Sequence, residues 1–88
     1  MIARILHEGQ YELPGSALAH LRRLDDELME RLTADDEAGF SERRDALLAL
    51  VRSEGRMLPP EALRESDLVL PPADLTLAEA RTLFTQHA

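Results

Sequence analysis

Residues 65–84 read ESDLVLPPADLTLAEARTLF, and the order of apolar residues, prolines and polar residues in this stretch decides the fold. The run Leu68–Leu70 is apolar throughout, which is typical of a short strand that is covered on both sides or docked beside a hairpin. Pro71 has no N–H group, so sheet hydrogen bonding cannot extend past this run. A capping box formed by Thr76 and Glu79 then opens a helix. The predicted buried face of that helix comprises Leu77, Ala80, Leu83 and Phe84.

Residues 1–13 predict a β-hairpin, because Ile and Leu side chains recur with the alternation of a strand. The turn is predicted at Glu8-Gly9-Gln10, with Gly9 adopting a positive φ. Residues 11–13 then return antiparallel, and Pro14-Gly15 ends the second strand. Because a lone hairpin is only marginally stable, the later apolar run is expected to complete a sheet of about three short strands.

Two amphipathic helices joined by a short turn follow the hairpin. The first begins at Ser16, a suitable N-cap, and ends at the last leucine of its apolar face. Asp35 or Asp36 caps the second, which runs to about Glu54, and Gly55 is expected to take a left-handed conformation after it. The predicted buried faces are Ala17, Leu21, Leu24, Leu28 and Leu32 in the first helix, and Phe40, Leu47, Leu50 and Val51 in the second.

The order of elements is therefore β-β-α-α-β-α, which predicts a single α+β domain over residues 1–88. The helical hairpin and the C-terminal helix are expected on one side of the small sheet, because each must bury its apolar face against another layer. A chain of this length buries roughly 60–65% of its unfolded surface. Its core is therefore thin, and contact with a partner or a second copy would add stability.

The composition argues against several classes of function. Seventeen acidic residues against ten basic ones give a net charge of -7, so direct binding to nucleic acid or to an anionic membrane is not expected. Cysteine is absent, which excludes disulfides and thiolate metal sites. No stretch is apolar enough to span a membrane and the first residues do not form a secretory signal, so we expect a soluble protein; the lack of cysteine suits a reducing cytoplasm.

No motif for catalysis or cofactor binding is present in the sequence. The histidines His7, His20 and His87 do not have metal-ligand spacing, and the glycines do not form a phosphate-binding loop. The adjacent pairs Asp25-Asp26 and Asp35-Asp36 are predicted on polar surface, where carboxylates stay ordinarily solvated, whereas a general acid needs burial to raise its pKa. We therefore expect no enzyme activity, no cofactor and no metal.

Acidic residues are concentrated around the predicted tip of the helical hairpin. Complementary charge speeds and orients encounter, so this cluster suits a basic partner helix; it equally suits a solubilising surface with N-cap residues. The candidate partner-binding acids are Asp25, Asp26, Glu27, Glu30, Asp35, Asp36 and Glu37.

Gln10 and Tyr11 form a second candidate contact. Tyr11 is the only tyrosine, and interfaces are enriched in tyrosine. The alternative is a structural role, in which the ring covers the sheet edge and the hydroxyl reaches water.

Four segments together resemble the PspA-associated proteins called PspAA. They are MIARILHEGQY, LRRLDDELMERL, ADDEAGFSERRDALLALVRSEG and ESDLVLPPADLTLAEARTLF, which cover nearly the whole chain in the order of the family. The resemblance implies a small cytoplasmic adaptor or modulator of PspA, a coiled-coil protein that remodels stressed inner membranes in the phage-shock envelope-stress response. It implies neither catalysis nor a cofactor, and it transfers no functional residue to this chain.

Two functions from different classes follow from these observations. The first is an adaptor whose partner is a PspA-type coiled-coil protein, with the membrane reached only indirectly, at its inner face, through that partner. The second is a small acidic inhibitor or DNA mimic that occupies a basic groove. Under both, direct nucleic-acid binding is not expected, and the strand edges also permit a homo-oligomer.

Overall fold

A computed structural model describes residues 1–62 and 64–86, with side chains up to residue 82. Within this part of the chain, four strands and three helices form the predicted α+β fold, with one strand more than the expected three. The strands are β1 Ile2–Ile5, β2 Gly9–Glu12, β3 Arg56–Met57 and β4 Leu68–Leu70; the helices are α1 Leu18–Thr33, α2 Glu37–Glu54 and α3 Leu77–Gln86. The strand order across the mixed sheet is β3-β2-β1-β4.

β1 and β2 form the predicted antiparallel hairpin, in which Ile5 lies opposite Gly9. The turn lies earlier than predicted: residues 6–8 form it, and Gly9 is already the first residue of β2. His7 takes a left-handed conformation at φ 68°, while Gly9 has the predicted positive φ, at 147°. The turn was misplaced because Leu6 continues the apolar alternation of the strand, although 37% of this residue is exposed.

β4 lies parallel to β1 at one edge of the sheet, as expected for a strand docked beside the hairpin. A backbone bond of 3.1 Å from Leu6 N to Leu70 O joins the two strands immediately before Pro71. Leu70 is buried, whereas Val69 is 57% exposed. The apolar run therefore has one buried face and one exposed valine on an edge strand, and the alternative of coverage on both sides is wrong.

β3 has no counterpart in the sequence-based prediction, because two exposed residues carry no alternating pattern. It pairs antiparallel with β2 directly after Gly55. The predicted left-handed conformation of Gly55 is wrong, since its φ is -96° and its ψ is 163°. A Cβ at Gly55 would lie 2.6 Å from Val51 O and 3.1 Å from Tyr11 Cβ. Glycine is required here because the end of α2 approaches β2 closely.

α1 packs its leucine stripe into the core, and all five residues predicted for that stripe are buried: Ala17, Leu21, Leu24, Leu28 and Leu32. The predicted N-cap at Ser16 is wrong, because a 3-10 turn, Gly15–Ala17, precedes the helix and no side chain caps α1. At the other end Asp35 has a left-handed φ of 58°. The N–H groups of Asp35 and Asp36 then donate to the carbonyls of Leu32 and Arg31, which closes the last turn of α1.

α2 packs beside α1 and begins at one of the two predicted caps, Asp36, whose Oδ1 accepts a bond of 2.9 Å from Gly39 N. Gly39 leaves room for this cap, because a Cβ there would lie 2.8 Å from the Asp36 carboxyl carbon. The helix ends at Glu54, as predicted. Of the side chains predicted to be buried, Phe40, Leu47 and Val51 are buried and Leu50 is half-buried, while Leu48 also points into the core.

The capping box that opens α3 is confirmed in both directions. Thr76 N donates to Glu79 Oε1, and Glu79 N donates to Thr76 Oγ1, each at 3.1 Å. Two orphan N–H groups of the helix start are therefore satisfied by side chains of the same turn. Leu77 and Ala80 are buried as predicted, and the predictions for Leu83 and Phe84 lie outside the described side chains.

The helices cover one face of the sheet, and a crossing segment, residues 58–62 and 64–66, covers the other. It leads from β3 at one edge of the sheet to β4 at the opposite edge. Leu58 N donates to Gln10 O at 2.9 Å where the segment begins. Just after its end, Asp67 N donates to Ile2 O at 2.8 Å, and Ile2 N donates to Asp67 Oδ2 at 2.7 Å.

Candidate partner-binding surface

The acids predicted to bind a partner lie on the second half of α1 and around the turn into α2. The structure therefore places them at one end of the helical hairpin, as the sequence predicted. Their side chains nevertheless differ in burial and in what they contact, and this separates those that hold the fold from those that face solvent.

Two of the acids hold the turn between α1 and α2. Asp36 caps α2, and its Oδ2 lies 3.8 Å from Arg31 Nη1. Asp35 occupies the left-handed position after α1, and its Oδ1 lies 3.3 Å from Arg81 Nη2 of α3. Both carboxylates therefore contribute to the local fold, and their role toward a partner stays a prediction.

Glu27 faces α2 and links the two helices. Its Oε2 lies 3.2 Å from Arg43 Nε. That N–H group does not point at the oxygen well enough to make a hydrogen bond, so the contact is an ion pair. Arg43 also donates to Glu42 Oε1 at 3.0 Å. Arg43 pairs with two acids, so it only partly neutralises the charge of Glu27.

Asp25 is half-buried, which corrects the expectation that it lies on fully solvated surface. Burial raises the pKa of its carboxyl group, and the charge of the neighbouring Asp26 raises it further. The cause is helical geometry: Asp25 lies four residues after Leu21 and three before Leu28, at the margin of the buried stripe. The spacing of the acids in the sequence did not show that Asp25 lies at the edge of the buried stripe.

Besides Asp35, three of the candidate acids are exposed to solvent: Asp26, Glu30 and Glu37. Within the described part of the chain, no ion pair or side-chain hydrogen bond engages them. Asp26 and Glu30 flank Met29 in a shallow depression on α1. The role of these three carboxylates toward a partner stays a prediction.

Gln10 is buried on the sheet face that the crossing segment covers, with 7% of its surface exposed. Its Nε2 donates to Arg64 O at 2.7 Å and to Ser66 Oγ at 2.9 Å. Gln10 therefore holds the crossing segment on the sheet. A contact between this side chain and a partner stays a prediction.

Tyr11 lies in the core, and its hydroxyl donates to Glu8 Oε2 at 2.7 Å. This replaces the expected contact with water. Arg52 donates to both oxygens of Glu8, at 2.9 and 2.5 Å. The hydrogen bond from Arg52, and to a smaller extent the one from Tyr11, lowers the pKa of Glu8 from 4.5 to about 2. The hydrogen bond to Glu8 raises the pKa of Tyr11. No local pattern signals this network, since 44 residues separate Glu8 from Arg52.

The histidines show no shared site: His7 and His20 are exposed on different elements, and His87 lies outside the described residues. Within residues 1–62 and 64–86, no group of three or more His, Asp or Glu side chains is placed to hold a metal ion. Over the same residues, no helix is both long enough and apolar enough to cross a bilayer.

Comparison with known proteins identifies a family for the whole chain. Searches of curated proteins and of solved structures return no match. The family model PspAA, described as PspA-associated protein, matches residues 1–88. The chain therefore belongs to the PspA-associated protein family, which confirms the resemblance seen in the sequence.

Proposed function

We propose that this member of the PspA-associated protein family is a non-enzymatic adaptor that binds PspA, the coiled-coil protein of the phage-shock response. The family description supports association with PspA. In this proposal the adaptor acts in the cytoplasm and reaches the inner face of the membrane only through PspA. The acidic end of the helical hairpin supplies the contact surface.

One observation carries the choice of surface: Asp26, Glu30 and Glu37 are exposed toward one end of the helical hairpin, and no basic side chain among the described residues pairs with them. A coiled-coil helix carries both signs of charge along its surface. Its basic stretches are therefore complementary to these three acids, and complementary charge accelerates and orients association.

Charge reversal tests the surface. The double variant Asp26→Arg, Glu30→Arg is expected to bind purified PspA about tenfold more weakly at low salt, because favourable charge contacts become repulsive. A matched control, Glu61→Arg with Glu65→Arg, makes the same change in net charge at exposed positions of the crossing segment. Asp25 is left unchanged, since reversing a half-buried carboxylate would also disturb the fold.

Co-purification and a binding titration with PspA distinguish the outcomes. Binding that is weakened by the α1 variant and retained by the control supports the proposed surface. Equal weakening by both variants would mean that only net charge matters. Failure of the unaltered chain to bind PspA would reject the adaptor function itself.

Membrane attachment gives a second test of the same function. The chain is expected to float with anionic vesicles when PspA is present and to remain in the unbound fraction without it, because its net charge of -7 opposes direct contact with anionic lipid. Flotation in the absence of PspA would contradict indirect attachment.

A further inference from the structure

The flank of α1 that faces away from α2 carries a surface feature, which we call the α1 groove. Its residues follow one another at helical spacing along nearly the whole helix: Leu18, Arg22, Asp26, Met29, Glu30 and Thr33. Two shallow depressions occupy it. One lies beside Leu18 and Arg22 and extends to Leu68 of β4, and the other lies between Asp26 and Thr33.

Contacts of the opposite flank show that the α1 groove is not the interface with α2. Glu27 of α1 forms an ion pair with Arg43 of α2, and Arg31 of α1 forms one with Asp36, the N-cap of α2. The groove residues lie on the other side of the buried leucine stripe, because positions three and four apart share one side of a helix. Among residues 1–62 and 64–82, no ion pair or side-chain hydrogen bond joins the groove side chains to another element.

The α1 groove has an apolar floor as well as charged walls. Leu18, Met29 and Leu68 are half-buried, and Met29 and Leu68 pack against the core while keeping part of their surface in solvent. α1 has 16 residues, and a helix of that length extends about 24 Å at ~1.5 Å per residue. A straight, partly apolar strip of this length matches the contact face of another α-helix.

Positive and negative side chains occupy different parts of the α1 groove. Arg22 stands at one end, and Asp26 and Glu30 stand toward the other. Eight residues separate Arg22 from Glu30, which is about 12 Å along a helix. A helix laid in the groove would pair well only if it presented an acid to Arg22 and a base to Asp26 and Glu30, on the same side as its apolar residues.

We propose that one amphipathic helix of PspA lies lengthwise in the α1 groove, with its apolar residues on Leu18 and Met29 and a basic residue between Asp26 and Glu30. This inference rests on the proposed function and adds the mode of docking to it. The acids then set register and encounter rate, while the apolar floor supplies affinity that does not depend on salt.

Site-directed cross-linking tests the position of the bound helix. The chain has no cysteine, so a single introduced cysteine is a unique attachment point for a photo-reactive benzophenone. Thr33→Cys places the probe in the α1 groove, and Ala49→Cys places it on the exposed side of α2. With purified full-length PspA, a covalent adduct is expected from the first variant and not from the second.

Substitution of the apolar floor gives an independent measurement. Met29→Arg is expected to raise the dissociation constant for PspA about tenfold, and more in low salt than in high salt, because it removes apolar contact at the centre of the interface and places a positive charge where the basic residue of the partner would lie. Ala49→Arg adds the same charge on α2 and is expected to change it less than about twofold. Thermal melts of both variants check that the fold is kept.

The outcomes separate the docking mode from the function. PspA that binds the unaltered chain but neither cross-links to Thr33→Cys nor responds to Met29→Arg would overturn the α1 groove and leave the adaptor function standing. Cross-links between two copies of this chain at Thr33→Cys would also overturn it, since the occupant would then be a second copy. No binding of PspA to the unaltered chain would overturn both.

Discussion

The turn of the β-hairpin and the end of the helical hairpin both carry exposed glutamate and aspartate, and they use these residues differently. In the β-turn, Glu8 accepts bonds from Arg52 and Tyr11, and its pKa falls to about 2. On α1, Asp26 and Glu30 face solvent, and Asp25 has a pKa raised by burial. The charged carboxylate stabilises the fold at Glu8, whereas on α1 it is tolerated at Asp26 and Glu30 and unfavourable at Asp25.

The difference shows that a carboxylate's role depends on its neighbours rather than on its residue type. A side chain that receives directed bonds from a cation is part of the fold, because its charged form is favoured. A side chain without such a partner adds charge to the surface at little cost to stability. We therefore place the proposed partner surface on the outer side of α1, where charge is concentrated and the described residues form no local bonds to it.

The largest expected effect concerns Asp36, an acid at the helical tip whose carboxylate, like that of Glu8, accepts a directed hydrogen bond. Gly39→Ala is expected to lower the free energy of unfolding by about 2 kcal/mol, because the new Cβ collides with the Asp36 carboxyl group and removes the cap of α2. Chemical denaturation measures the change. Gly15→Ala is the matched control, since no atom lies within 4 Å of a Cβ there, and a loss as large as at Gly39 would contradict the cap.

Glu8→Gln is expected to destabilise the chain by about 1–2 kcal/mol, since it replaces a charged acceptor of three hydrogen bonds by a neutral one at a partly exposed site. Glu30→Gln, on the open side of α1, is expected to change stability by less than about 0.5 kcal/mol. Urea denaturation compares the two variants. Equal effects would remove the contrast between the two regions.

The pH dependence of stability should have opposite signs in the two regions. The folded pKa of Glu8 is lowered from 4.5 to about 2, so its contribution is complete above about pH 4.5 and is lost as the pH falls toward about 2. The pKa of Asp25 is raised above 3.8, so its contribution is favourable at low pH and is lost as the pH rises through its folded pKa. Denaturation of Glu8→Gln across this range should show a flatter acid limb than the unaltered chain.

Asp25→Asn gives the smallest expected effect and the clearest sign. Removing the desolvated charge beside Asp26 is expected to raise stability at neutral pH by about 0.5 kcal/mol. The melting temperature measures it, and Asp26→Asn is the exposed comparison. A loss of stability at Asp25 would mean that its carboxylate makes a favourable contact after all.

Much of the fold could be predicted because its signals are local. Three of these signals depend only on residues within one or a few helical turns. They are the apolar stripe from Ala17 to Leu32, the N-cap at Asp36 and the capping box of Thr76 with Glu79. β3 and the conformation of Gly55 could not be predicted, because they follow from the close approach of α2 to β2. Such an approach leaves no periodicity in the sequence.

The sequence predicted where the candidate acids lie, but it did not predict what each side chain contacts. Counting acids located the end of the helical hairpin, yet the count could not tell that Asp35 and Asp36 hold the turn while Asp26 and Glu30 face solvent. Nor could it place Gln10 under the crossing segment, since its partners Arg64 and Ser66 lie 54 and 56 residues away.

By itself, the amino-acid sequence determined the bounds of β4 and α2, the start of α3, the α+β class and the strong negative charge. Helical periodicity, capping residues and the missing N–H of proline act over a few bonds of the chain. Only the tertiary structure decided which carboxylates are bonded, which face of the sheet is covered by the crossing segment and which flank of α1 stays open. These properties depend on residues brought together from distant parts of the chain, and the free energy of such contacts exists only once the core has formed.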